Sequence, residues 1–117
     1  MPGSMQSRRT RKIMILEVAQ LQVRNGQETA FEAAFNHAQA FIASMPGYLG
    51  HSLQRCIQHQ NQYVLLANWA TLADHEIGFR QSAQYQQWRA VLHHFYDPFP
   101  RVLHYTRIAG SDSIGIA

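Results

Sequence analysis

The chain has 117 residues, of which 46% are hydrophobic and 15% charged, a composition that favours one globular domain and excludes a disordered chain. Its formal net charge of +3 comes largely from Arg8, Arg9, Arg11 and Lys12, so the remainder is close to neutral and no nucleic-acid-binding surface is expected. One cysteine, Cys56, excludes an internal disulfide, and no apolar run is long enough to span a bilayer.

The chain divides into three expected parts. Residues 1–12 predict a disordered leader and a solvated basic arm, with an added Met1-Pro2-Gly3-Ser4 ahead of a native Met5. Residues 13–108 predict the folded domain, and the Gly/Ser-rich residues 109–117 predict a flexible tail. No signal-type core follows the basic segment, so we expect a cytoplasmic protein with no membrane partner.

The first half of the domain predicts a strand and a helix. Ile13 to Val23 is rich in Ile, Leu and Val and alternates in its second half, which is typical of a strand. Asn25-Gly26 then predicts a turn. Gln27 to Met45 carries apolar residues at spacings of three and four, as an amphipathic helix does, and Pro46-Gly47 ends it.

A β-hairpin is predicted next. Tyr48 to Ile57 and Gln62 to Ala70 are strand-like, and the short polar segment Gln58 to Asn61 between them favours antiparallel pairing.

A helical region and a last strand complete the domain. The spacing of Thr71 and Asp74 predicts a capping box that opens a helical region reaching Phe95. Gly78 to Ser82 predicts a break within this region, because glycine weakens a helix and serine can cap a new one. Arg101 to Ile108 predicts the last strand.

The resulting order β-α-β-β-α-β predicts an α+β ferredoxin-like fold, with two helices on one face of an antiparallel sheet. Apolar residues nevertheless occupy both faces of the strands: Tyr63 and Leu65 alternate with Val64 and Leu66. An apolar sheet face is costly to leave in water, so we expect a homodimer.

Several motifs, taken in order, resemble the antibiotic biosynthesis monooxygenase family over residues 13 to 108. An Asn-Gly turn precedes a Phe-bearing helix at Asn25-Gly26, and a Met-Pro-Gly-Tyr helix stop follows at Met45 to Tyr48. A strand ends in Trp before a capped helix at Trp69 to His75. A Ser-Ala-Gln-Tyr-Gln-Gln-Trp segment occupies Ser82 to Trp88, and the last strand carries His104-Tyr105.

The resemblance implies a dimeric α+β barrel with a pocket between the sheet and helices of each subunit. Known activities in the family are oxygenation of polycyclic phenols and quinols without metal or flavin and, in a separate branch, heme degradation. The heme branch needs an Asn early in the first strand and an axial His in the second helical region. This chain has Glu17-Val18-Ala19 and Gln87 to Ala90 there, which argues against heme degradation.

Trp69 is the first candidate for substrate binding. The resemblance aligns it with a pocket-lining Trp, and a flat wall suits a flat aromatic substrate. Its neighbour Asn68 is a candidate for hydrogen bonding to a substrate carbonyl, as amides do in relatives. Adjacent strand residues point to opposite faces, however, so the two share a pocket only if a bulge intervenes.

Histidines are the candidates for a catalytic base. His51 and His104 lie on predicted strands, and a neutral imidazole at either position can take a phenolic proton near pH 7. The adjacent pair His93-His94 diverges by about 100° on a helix, so we expect no metal site.

An aromatic cluster completes the candidate site. Tyr63, Tyr85 and Trp88 are candidates for substrate binding, with core packing as the alternative. Glycine-rich phosphate loops and Ser-His-Asp signatures are absent from the sequence. We therefore expect a cofactor-independent monooxygenase acting on a small aromatic, with no cofactor. The alternative is a non-catalytic dimeric protein that binds a small molecule.

Overall fold

A computed structural model describes residues 14–111 and has four antiparallel strands with helices on one face. The elements are β1 Ile15–Gln22, α1 Glu28–Ala43, β2 Tyr48–Arg55, β3 Gln62–Trp69, a π-helical segment Asp74–Phe79, α2 Ala83–Leu92, a 3-10 turn His93–Phe95 and β4 Arg101–Thr106. The sheet order is β2-β3-β1-β4. The predicted β-α-β-β-α-β order and the ferredoxin-like fold are therefore confirmed.

Element boundaries differ from the predicted ones by a few residues. The predicted helix from Gln27 to Met45 begins at Glu28 and ends at Ala43. The last strand ends at Thr106 rather than Ile108. The predicted basic arm, Ile13 and tail residues 112–117 lie outside the described residues.

The strand register fixes which side chains face the helices. Glu17 pairs with Ala67 of β3 and with His104 of β4, so these three side chains share the helix-covered face. This face carries the core, which packs against apolar side chains of both helices: Phe31, Phe35, Ala38, Ile42, Trp88 and Leu92.

The predicted capping box is present. The Thr71 hydroxyl and backbone N–H both donate to Oδ2 of Asp74, at 2.9 and 3.1 Å, and the Asp74 backbone N–H donates to Oγ1 of Thr71 at 3.1 Å. These bonds start the helical region that carries His75 and Phe79, four residues apart and both buried.

The predicted break in this region is also present. The first segment is π-helical, which the sequence did not indicate, and it ends at Phe79. Ser82 then caps α2 by accepting a hydrogen bond from the Tyr85 backbone N–H at 3.0 Å.

The other face of the sheet has no helix against it among the described residues. It presents a group of apolar side chains that we call the outer face: Leu16, Val18, Val64, Leu66, Leu103 and Tyr105. Leu103 is 39% and Tyr105 50% exposed. Within residues 14–111, no helix is long and apolar enough to cross a membrane.

Candidate functional site

A cavity of about 250 Å³ lies between α2 and the helix-covered face of β1 and β4. We call it the α2 cavity. Its walls are largely aromatic and aliphatic, and an acid, imidazoles and arginines contribute polar groups: Glu17, Ala19, Leu21, Leu65, His75, Phe79, Arg80, Tyr85, Trp88, Arg89, His93, Tyr96, Phe99, Pro100 and Val102. Predicted Tyr85 and Trp88 are among them.

A chain of buried polar side chains lies beside this cavity. The indole N–H of Trp69 donates to Oε1 of Glu17 at 2.9 Å, and Nε2 of His75 lies 3.3 Å from the same oxygen. The other ring nitrogen of His75, Nδ1, is hydrogen-bonded to Nε2 of His104 at 2.8 Å. Four elements of the fold thus bring one carboxyl group, one indole and two imidazoles together.

Burial sets the protonation of this chain. Loss of solvent raises the pKa of Glu17 to about 7, although the Trp69 hydrogen bond and the positive charge of Arg80 each lower it. Burial lowers the pKa of His75 to about 3, and repulsion by His104 and Arg80 adds to the decrease. The Glu17–His75 contact therefore holds a neutral imidazole near pH 7 and is not an ion pair.

Two positive charges lie at the α2 cavity. Arg80 and Arg89 line the cavity and are exposed, and the Arg80 guanidinium lies 5.9 Å from the ring centre of Tyr85. Burial lowers the pKa of His93, and Arg89 and Arg80 lower it further. Glu17 is the one acidic side chain among the described residues that line the cavity.

The Glu17–His75–His104 chain does not form a metal-binding cluster. His75 directs one ring nitrogen to each neighbour, so the three side chains lie in series and do not converge on a common point. Across residues 14–111, no group of three or more His, Cys, Asp or Glu side chains is arranged to hold a metal ion.

The two histidines predicted as bases lie in different places. His51 is on β2 and His104 on β4, the two edge strands, which puts them roughly 14 Å apart at about 4.8 Å per strand spacing. His104 contacts the cavity-lining His75. Nε2 of His51 donates to the side-chain oxygen of Gln39 at 2.9 Å, and Nδ1 accepts from the Tyr48 hydroxyl at 2.5 Å.

His51 and predicted Tyr63 instead line a cleft of about 440 Å³ between α1 and β2, the α1 cleft. The Tyr63 hydroxyl donates to Glu32 at 2.6 Å, and Arg55 donates to the same carboxylate at 3.0 Å. Burial and the neighbouring Glu32 raise the pKa of Tyr63 to about 12. The structure thus separates His51 and Tyr63 from the α2 cavity.

Trp69 and Asn68 are both buried but face opposite ways. Trp69 has no exposed surface, packs on Phe79 at 5.7 Å and lies behind Glu17, so it does not line the α2 cavity. Asn68 pairs with Leu16 and with Gly50 on the outer face. The one irregularity in β2 lies between Tyr48 and Gly50 and does not rotate Asn68 into the cavity.

Glu17 and His75 were not singled out in the sequence as site residues. Glu17 carried a signal, because it shares the buried phase of β1 with Ala19 and Leu21, where a charged side chain is unusual. The sequence carried no such signal for His75, because this residue directly follows the capping box and its burial depends on the π-helical turn.

The chain belongs to the antibiotic biosynthesis monooxygenase family, whose model matches residues 14–91. It is 48% identical to an uncharacterised Bacillus subtilis protein, YczJ, over 92 residues that cover 79% of this chain and 97% of YczJ. The crystal structure of a Bordetella bronchiseptica protein, a candidate antibiotic biosynthesis monooxygenase, is 33% identical with a TM-score of 0.79, covering 82% of this chain and 98% of that one.

A further solved structure shares the fold at lower identity. SnoaB of Streptomyces nogalater, described as a cofactor-independent oxygenase, is 23% identical with a TM-score of 0.63. The match covers 86% of this chain and 97% of SnoaB. At this identity the similarity shows the fold alone.

Proposed function

We propose that this protein is a cofactor-independent monooxygenase that oxidises a small phenol- or quinol-type aromatic in the α2 cavity. The observation that carries the proposal is the cavity itself, where aromatic walls lie beside a buried carboxyl–imidazole chain. Family membership supports the same chemistry, and the fold is compatible with it, because the cofactor-independent oxygenase SnoaB shares that fold.

The cavity walls suit a planar ligand. Phe79, Tyr85 and Trp88 surround the space with ring faces and edges, and Phe79 meets both other rings at steep angles, 89° and 76°. Offset and edge-on contacts of this kind favour aromatic ligands. Tyr85 and Trp88 are thus the proposed substrate-binding residues of the α2 cavity.

The reaction requires the protein to deprotonate the ligand, to hold its ring and to exclude bulk water. A base removes the phenolic proton, which leaves an electron-rich anion able to pass one electron to O₂. The resulting aryl radical and superoxide combine into a peroxide at a ring carbon. That carbon then loses its remaining hydrogen as the O–O bond breaks, so that one oxygen atom stays as a carbonyl and the other leaves as water. The cavity holds the ring and excludes bulk water from the reactive pair. His104 contributes to this site through His75, whereas His51, Tyr63 and Asn68 lie outside it.

A homodimer joined through the outer face is part of the proposal. The exposed Leu103 and Tyr105 continue a row of half-buried aliphatic side chains on β1 and β3, and a second copy of the sheet would cover them. The α2 cavity lies on the opposite side of the sheet, so each protomer would keep its own cavity.

The alternative function is a non-catalytic dimer that binds a small aromatic molecule on the same scaffold. Oxygen uptake separates the two. Anthrone, whose enol tautomer is a tricyclic phenol, would be added aerobically to protein stripped with chelator, with oxygen consumption and anthraquinone formation followed together. Uptake above the uncatalysed rate supports the oxygenase. Quenching of tryptophan fluorescence by anthrone without oxygen uptake assigns the protein to the binding class.

A further inference from the structure

Glu17 is the acid that the fold places at the inner side of the α2 cavity. It is 5% exposed and belongs to an otherwise apolar strand face, between Ile15 and Ala19. Burying a carboxyl group in such a place costs folding free energy unless a neighbouring group pairs with it, and an unpaired one points to a function. No lysine or arginine among the described residues lies within ion-pair distance of it, and its recorded partners are Trp69 and His75.

Both recorded contacts use the same carboxyl oxygen. Trp69 donates to Oε1, and Nε2 of His75 lies against Oε1, so these two side chains orient the carboxyl group from β3 and from the π-helical turn. Such outer contacts fix the direction of a reactive group in the way that supporting side chains do in enzyme active sites. Glu17 lines the α2 cavity, and neither of these contacts uses its second oxygen, Oε2, so we assign Oε2 to the ligand.

We infer that Glu17, rather than His75 or His104, takes the proton from the aromatic ligand, with Trp69 and His75 as its positioning residues. This inference rests on the proposed function and names the base for it. In the step, the ligand O–H or enolisable C–H bond breaks, the proton moves to Oε2, and the electron pair stays on the aromatic. Glu17 later returns the proton to the oxygen atom that leaves as water.

His75 is a poorer acceptor for two reasons. Each of its ring nitrogens already faces a neighbour, His104 or Glu17. Burial also holds its pKa near 3, so it takes up almost no proton at neutral pH, whereas the Glu17 pKa of about 7 suits a base working near neutrality. His104 does not line the cavity.

The titration of Glu17 depends on several groups that face it or its cavity. They are His104 across the ladder from β4, His75 and Arg80 from the π-helical region, Tyr85 and Arg89 from α2, His93 from the 3-10 turn and Tyr96 after it. Trp69 faces it from β3 without a charge. Arg80 is the cationic group among them whose positive charge lowers the pKa of Glu17 and so favours the carboxylate.

Proton transfer can be tested without oxygen. Anthrone exchanges its C10 hydrogens with solvent through its enolate, so the intact protein is incubated with anthrone in D₂O under argon and loss of the C10 proton signal is followed by NMR. Glu17→Gln keeps the size of the side chain and an acceptor for Trp69 but removes the base. We expect wild-type protein to accelerate exchange, and Glu17→Gln to lose about 100-fold or more of that acceleration.

Two further variants and the pH dependence of the exchange rate complete the test. Glu17→Asp retains a carboxylate and should retain measurable exchange. Glu32→Gln is the matched control: Glu32 also accepts a hydrogen bond from an aromatic side chain, Tyr63, but lies at the α1 cleft, so exchange should be unchanged. If Glu17→Gln does not fold, the exchange rate of the wild-type protein is measured as a function of pH. This rate should fall as the pH decreases through about 7.

The outcomes separate the inference from the proposed function. Undiminished exchange in folded Glu17→Gln overturns the role of Glu17, even if aerobic oxidation proceeds. Failure of wild-type protein to accelerate exchange overturns it as well. Glu17-dependent exchange under argon with no oxygen uptake in air supports the role of Glu17 and removes the monooxygenase.

Discussion

Trp69 and Glu17 are diagonal neighbours on the helix-covered face, and the indole N–H of Trp69 donates to Oε1 of Glu17 at 2.9 Å. The register places Ile15 opposite Trp69 and Glu17 opposite Ala67, which is the diagonal spacing over which long side chains meet in a sheet. The one buried acid of the sheet therefore depends on a tryptophan that is itself fully buried.

Replacing Trp69 by Phe should raise the pKa of Glu17 above its wild-type value of about 7, because the hydrogen bond that favours the carboxylate is lost while the burial remains. A ¹³C NMR titration of the glutamate carboxyl carbons measures the shift. Trp88→Phe is the control, since Trp88 lines the cavity without contacting Glu17. A Glu17 midpoint that stays in place in Trp69→Phe contradicts this account of the hydrogen bond.

Trp69→Ala should act mainly on stability. The side chain has no exposed surface and packs on Phe79, Tyr48 and His75, so truncation should cost about 3–5 kcal/mol in the free energy of unfolding. Urea denaturation measures this cost, with Trp88→Ala for comparison. A loss below about 1 kcal/mol for Trp69→Ala would show that Trp69 is a loosely packed wall after all.

Glu17 and His75 should make opposite contributions to stability as pH changes. The folded-state pKa of Glu17 is raised, so its contribution is complete below about 4.5 and is lost as pH rises to about 7. The folded-state pKa of His75 is lowered, so its contribution to stability is complete above about pH 6.5 and is lost as the pH falls towards 3. Between about pH 4.5 and 6.5 the two slopes, each about 1.4 kcal/mol per pH unit, should largely cancel.

Glu17→Gln removes one side of this balance. Its free energy of unfolding, measured by urea denaturation from pH 7 to pH 4.5, should fall more steeply with acid than that of wild type, because His75 is left to take up a proton only on unfolding. Glu32→Gln serves as the control, because Glu32 does not contact His75. Parallel curves for Glu17→Gln and wild type would mean that the fold does not raise the pKa of Glu17.

The fold was predictable because its signals are local. The alternation in β1, the apolar stripe of α1 and the capping box at Thr71 and Asp74 each need only neighbouring residues, and their order specifies the ferredoxin-like arrangement. Ser82 as a cap was predictable for the same reason. The π-helical turn was not, because a one-residue widening of a helix leaves no compositional mark.

The candidate site was only partly predictable because it depends on register. Whether His51 and His104 meet is decided by the strand order, which separates them by two strands. Glu17 reaches the cavity through its phase in β1, and His75 through the π-helical turn. Tyr85 and Trp88 both line the cavity, and the sequence could group them because a spacing of three puts two residues on one helix face.

The outer face should join two copies of the chain. Leu103 on β4 lies beside Val18 of β1, which in turn lies beside Leu66 of β3, so an apolar row crosses three strands. Leaving such a row in water is unfavourable, and an interface of about 1,000 Å² or more would be typical of a stable dimer. We therefore expect a mass of twice 13.4 kDa by light scattering at micromolar concentration.

Leu103→Glu should dissociate this dimer, because pairing would bury a charge from each copy without a partner. The side chain is 39% exposed in the single chain, so the monomer should tolerate the substitution. Ile77→Glu is the control: Ile77 is 59% exposed and lies in the π-helical segment, which packs on the helix-covered face. A wild-type monomer, or a Leu103→Glu variant as dimeric as Ile77→Glu, would exclude the outer face as the interface.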